Sequence, residues 1–158
     1  MFFLTLLAIV SAVQIGAVQH PSYIVGGSIV RTNELPFAVH LLADNSPRCG
    51  AAILSPNWIV TAAHCITKNN ALITSKLTVT VGSAGEGKVY QIKSMVYHPD
   101  YDSTSFKNDI AIIRMENSLP VNSKTQPIPI SLATVEPNET LRAAGWGQTE
   151  MEVNSKQL

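Results

Sequence analysis

The sequence predicts an all-β fold of antiparallel strands, on three observations. Short apolar runs alternate with turn residues, β-branched residues concentrate in those runs, and after the first residues no stretch holds helical periodicity for about 12 residues. The chain has 158 residues, enough for one domain or slightly more, and its 46% hydrophobic and 14% charged content is that of a folding chain, not a disordered one. Lys plus Arg number 11, as do Asp plus Glu, so the formal net charge is zero. With no basic stripe, nucleic acid and anionic membrane surfaces are not expected as partners.

Taken in order, the run Met1 to Val10 is apolar but too short for a membrane span, and small residues follow at Ser11, Ala12, Gly16 and Ala17. That layout predicts a secretory signal peptide over residues 1–17, and a secreted, extracellular protein. No later stretch is apolar enough to span a bilayer, so no membrane anchoring is expected. A short polar stretch, 18–23, precedes Ile24-Val25-Gly26-Gly27. Strands are expected at Phe37–Leu42, ended by Asp44-Asn45-Ser46-Pro47, then at Gly50–Leu54 and Trp58–Thr61, separated by Ser55-Pro56-Asn57. Leu77–Val81 is rich in β-branched residues and stops at a Gly-rich turn over 82–87. Val89–Tyr97 ends at His98-Pro99, and Ile110–Ile113 is a short apolar strand. Three prolines between Pro120 and Pro129 make a poor strand and no helix, so residues 120–140 read as a linker. Leu141 to Gly147 then reads as the first strand of a second unit over 141–158, begun and not finished.

Four residues carry the chemistry. His64 sits at the end of a buried strand, with small Ala62 and Ala63 leaving room around its imidazole, as a rigidly held base requires. The bland reading of His64 is a satisfied structural histidine. A base needs a third group to fix its tautomer. Asp100 and Asp102 lie in a polar turn and read as solvated charges, whereas Asp109 leads directly into the apolar Ile110–Ile113 and needs a partner there. Alone, Asp109 reads equally well as a strand-initiating cap. Cys49 and Cys65 are the only cysteines, and in an oxidising compartment an even count predicts a disulfide worth about 3 kcal/mol. The rival is zinc held by Cys49, His64 and Cys65, which lacks a fourth ligand at motif spacing. No metal or cofactor is expected. Asn138-Glu139-Thr140 after Pro137 is an N-glycosylation sequon.

Ile24-Val25-Gly26-Gly27, Thr61-Ala62-Ala63-His64-Cys65, Asn108-Asp109-Ile110-Ala111 and Gly145-Trp146-Gly147 occur in this order, and together they resemble the landmarks of the chymotrypsin/trypsin family of serine proteases. The resemblance covers essentially everything from Ile24 to Gly147. It implies a chymotrypsin-like fold of two six-stranded antiparallel β-barrels, of which residues 24–119 form the first and 141–158 begin the second. His64 resembles the general base and Asp109 the aspartate that orients it. Cys49 and Cys65 resemble the disulfide beside that histidine. Ile24 resembles the new amino terminus made when a zymogen is activated, which makes 18–23 a short activation propeptide.

Two departures qualify this. The family presents its nucleophile in a Gly-Asp-Ser-Gly-Gly segment well after Gly-Trp-Gly, and no serine here resembles it; Ser83, in Gly82-Ser83-Ala84-Gly85, is the nearest look-alike and falls between the histidine and the aspartate. Tyr23 stands where most relatives carry Arg or Lys, so an activating protease accepting an aromatic residue is expected. The implied function is a secreted serine endopeptidase acting on peptide or protein substrates, monomeric when complete, with this chain inactive alone. The alternative is a non-catalytic homologue acting as a binding or decoy protein.

Overall fold

The computed structural model describes residues 30, 34–81 and 88–146. The chain's first described hairpin shows how turn chemistry sets the fold. Asp44 and Asn45 take φ of 49° and 65°, the left-handed region that Asn and Asp tolerate and that a two-residue hairpin turn demands. The turn therefore joins β1 (Ala38–Ala43) to β2 (Ser46–Ser55). Sequence patterning stops the first strand at Asp44 and resumes it only at Gly50; the structure resumes it at Ser46, because a two-residue turn lets pairing restart at once. Pro56 and Asn57 turn β2 into β3 (Trp58–Thr61), followed by a single helical turn, α1 (Ala63–Ile66). Asn69 and Asn70, with φ of 53° and 58°, close a second such turn between β4 (Thr67–Lys68) and β5 (Ala71–Leu72), a pair too short to show as a sequence pattern.

β6 (Leu77–Val81) and β7 (Val89–Tyr97) match the runs expected of them. β8 spans Ala111–Met115. It begins one residue later than expected and runs on through Arg114, because its inward positions are Ala111, Ile113 and Met115 while Ile112 and Arg114 face outward. The strands close into an antiparallel barrel in the order β1-β2-β3-β8-β7-β6, with β1 pairing both β2 and β6. The predicted all-β barrel is thus present.

Alternation fills the interior. Val39 and Leu41 from β1, Ile53 from β2, Ile59 from β3, Val79 from β6 and Ile113 from β8 are fully buried in one core, joined by Ile66 from α1. In β7 a register shift between Ile92 and Ser94 moves the inward face from Tyr90 and Ile92 to Met95 and Tyr97. Among the described residues the stretch after Leu119 carries no strand, in keeping with its prolines, yet it is tied down: the backbone N–H groups of Gln126 and Ile128 donate to the carbonyls of Pro36 and Ile53, at 2.9 Å each. Of Leu141–Gly147, expected as a strand, the described part 141–146 has no strand partner among the described residues, since a strand forms only beside a neighbour; Trp146 instead packs back on the barrel. Ile24, Ser83 and Gly147 lie outside the described residues.

Candidate active site

β3 delivers the chain to α1 and β8 begins beside it, with Thr61 paired to Ala111. This pairing brings His64, just past the end of β3, to Asp109, just before β8. The His64 Nδ1 and Asp109 Oδ2 atoms are 2.7 Å apart, and the His64 backbone N–H donates to Asp109 Oδ1 at 2.9 Å. One carboxylate therefore fixes both the ring and the main chain of the same residue. The His64 side chain is 49% exposed and that of Asp109 21%. Burial alone would raise the Asp109 carboxyl, but the hydrogen bonds from the His64 ring and the His64 N–H outweigh it and hold the pKa below the usual carboxylate value. Asp109 stays ionised, which keeps the proton on Nδ1 and leaves Nε2 as the basic nitrogen.

Nε2 faces the disulfide. Cys49 and Cys65 are bonded at 2.02 Å with Cα atoms 6.0 Å apart. Their Sγ atoms lie 3.9 Å and 3.5 Å from Nε2. A disulfide sulfur carries no proton and is a weak acceptor, so it leaves the Nε2 lone pair available. With both sulfurs in the bond neither is a thiolate, so in this disulfide form Cys49 and Cys65 offer no thiolate ligand to a metal. Phe106 packs edge-on against the imidazole, ring centroids 6.1 Å apart.

Arg48 adds a second restraint. Its Nε donates to the Cys65 carbonyl, and its Nη2 to the His64 carbonyl at 3.3 Å. Adjacent residues of β2, Arg48 and Cys49, thus grip adjacent residues of α1. The other aspartates behave as solvated turn groups. Asp102 accepts from Ser105 Oγ at 2.6 Å and the Thr104 N–H at 2.9 Å, bonds that lower its pKa. Asn108, at φ 55°, anchors the approach to Asp109 by donating from Nδ2 to the Asp100 carbonyl at 2.9 Å.

Residues 24–158 match the sequence profile of the family described as Trypsin. The chain belongs to the trypsin family. Among its relatives, Trypsin alpha of Drosophila melanogaster is 40% identical over 129 residues, covering 78% of this chain and 48% of that protein. A trypsin of Simulium vittatum is 32% identical over 137 residues, 80% of this chain and 54% of the relative. Serine protease SP24D of Anopheles gambiae is 33% identical over 129 residues, 79% and 46%. The chain spans about half the length of these curated relatives.

Three contacts of this trypsin-family chain escape sequence reasoning. Arg48 and Phe106 meet His64 only through the fold. His40, on the outward face of β1, stacks on Trp146 with ring centroids 3.5 Å apart. Alternation along β1 could have put His40 opposite Val39 and Leu41, but nothing local announces its cover. Asn138 sits exposed in a turn at φ 70°.

Proposed function

We propose that this chain supplies the general base and its orienting acid to a secreted serine-type endopeptidase. The 2.7 Å contact between His64 Nδ1 and Asp109 Oδ2 carries the reading. In that reaction a serine hydroxyl, supplied from outside the described residues, gives its proton to His64 Nε2 as it attacks the scissile carbonyl. Asp109 stabilises the imidazolium that forms. His64 then passes the proton to the leaving amine, and water repeats the cycle to release the acyl group. Removing such a base lowers turnover by about a million-fold.

Further parts of the reading go with it. Residues 1–17 act as a signal peptide and 18–23 as a propeptide, cut after Tyr23 to leave Ile24 as the mature amino terminus; the family match that begins at residue 24 supports this boundary. Residues 24–119 form the first barrel, 120–140 the linker and 141–158 the start of the second. Among the described residues no helix is long and apolar enough to cross a membrane.

The test is to express the complete reading frame, activate the secreted product and assay peptide hydrolysis. Hydrolysis abolished by His64→Ala, from a chain starting at Ile24, is expected. A reading frame ending at the Leu158 codon, with a secreted product of this mass and no hydrolysis, would instead establish the non-catalytic binding reading.

A further inference from the structure

We propose that opening the Cys49–Cys65 disulfide creates a zinc site whose ligands are Cys49 Sγ, Cys65 Sγ and His64 Nε2, so that a thiol reductant and Zn²⁺ together take the base out of use. The metal site stands on geometry alone; its effect on hydrolysis rests on the peptidase reading above. The three ligand atoms lie within 4.8 Å of one another. A tetrahedral Zn²⁺, bonded at about 2.3 Å to sulfur and about 2.1 Å to nitrogen, spaces sulfur and nitrogen about 3.6 Å apart and two sulfurs about 3.8 Å apart. Nε2 already sits 3.5 Å from Cys65 Sγ and 3.9 Å from Cys49 Sγ. Two edges of the ligand triangle are therefore in place in the oxidised protein. The third, between the sulfurs, is held closed by the covalent bond alone. The two Cα atoms are 6.0 Å apart, so rotation about each Cα–Cβ bond can open that edge without moving the main chain.

The surroundings suit a metal-bound histidine. Such a histidine donates its other ring N–H to a carboxylate, which fixes the tautomer and raises the basicity of the ligating nitrogen. His64 Nδ1 lies 2.7 Å from Asp109 Oδ2 and meets that requirement as it stands. The ligands also stay in register once the disulfide is open. The His64 main chain is tied to Asp109 Oδ1. Between β1 and β2 the register passes from Leu41 opposite Cys49 to Leu42 opposite Pro47, which makes Arg48 the extra residue of a β-bulge. From there Arg48 donates to the Cys65 and His64 carbonyls, so β2 and α1 remain joined without the sulfur link. Three protein ligands leave a fourth position, and the His64 side chain, 49% exposed, leaves it open to water.

The chemistry balances with two equivalents of a small thiol. Cys65 is 3% exposed and Cys49 is half-buried, so the thiolate attacks Cys49 Sγ and Cys65 leaves as a thiolate. A second thiol then releases Cys49, and the reductant departs as its own disulfide. Two electrons and two protons have passed to the protein sulfurs. Zn²⁺ displaces those two protons and takes the Nε2 lone pair, leaving His64 nothing with which to accept a proton.

The experiment uses the activated product of the complete reading frame, reduced with a small thiol and desalted without oxygen, with Co²⁺ as a spectroscopic probe. The reduced protein should take up one Co²⁺ with thiolate charge-transfer and tetrahedral d–d bands, and one Zn²⁺ should displace it. The oxidised protein and the reduced Cys49→Ser/Cys65→Ser variant should show neither band. His64→Ala, which keeps the disulfide for folding, should lose the tetrahedral spectrum after reduction, and Asp109→Asn should weaken binding about 10- to 100-fold. One equivalent of Zn²⁺ should slow peptide hydrolysis by the reduced protein about tenfold or more, reversibly with a chelator, and leave the oxidised protein untouched. A reduced protein that unfolds by circular dichroism, binds no Co²⁺, gives the same spectrum without His64 or hydrolyses at full rate with the metal bound overturns this inference while the peptidase reading stands. Metal uptake as described, in a protein that hydrolyses nothing in either redox state, supports the zinc site and overturns the peptidase reading.

Discussion

Lowering the pH should destabilise the barrel through one residue, His40. The ring is 8% exposed, covered by Trp146, and its Nε2 has no hydrogen-bond partner among the described residues. Its strand neighbours are Gly50 on β2 and Thr80 on β6, and the residues packed around Trp146 are Leu35, Ala38, Phe37 and Val30. None of these is charged, so burial pushes the His40 pKa down from 6.5 to about 4. The unfolded chain titrates near 6.5, so between there and about 4 the unfolded state binds the proton that the folded state refuses. Stability is complete above pH 6.5 and is lost as the pH falls through that window. At 1.36 kcal/mol per unit of pKa, the loss by pH 4.5 is at most about 2.5 kcal/mol, and partial screening of a group outside the barrel interior reduces it to about 2. Urea unfolding at pH 7.5, 5.5 and 4.5, for the wild type and for His40→Gln, reads this directly. The wild type should lose about 2 kcal/mol more than the variant between the extremes. Equal losses would refute the argument.

Three other perturbations test separate parts of the structure. The double variant Cys49→Ser/Cys65→Ser opens a link with a sequence separation of 16 and should cost about 3 kcal/mol by chain-entropy arithmetic, read as a lower urea midpoint. Ile59→Ala empties the centre of β3, where the side chain is fully buried, and should cost about 2–5 kcal/mol in the same assay. In the activated protein, Asp109→Asn should lower kcat about 10,000-fold, because a neutral amide no longer enforces the Nδ1-protonated tautomer; in steady-state kinetics KM should move far less.

What could be read from the sequence followed the range of the interactions. β6 and β7 were legible because β-branched alternation is a local property, and β2 was cut short because the two-residue turn at Asp44-Asn45 looks like a longer break. The β4-β5 pair has two residues per strand, below any periodic signal. Alone, His64 reads as a structural histidine and Asp109 as a strand cap; the pair is legible only through the ordered landmarks of the family resemblance, and the structure brings the two together because β3 pairs β8. Arg48 was hidden because its direction depends on a bulge, which register alone creates. Leu141–Gly147 reads as a strand by itself, but a strand is a property of two segments, and the described part finds no second one among the described residues.

The central claim is that His64, held by Asp109, is the base for a serine nucleophile. Its most direct test is covalent labelling of the activated, full-reading-frame protein by a fluorophosphonate, followed by intact mass and peptide mapping. The account predicts one adduct per molecule, on a serine, formed about 1,000-fold or more slowly in His64→Ala. No adduct, or an adduct formed at the same rate without His64, would contradict it.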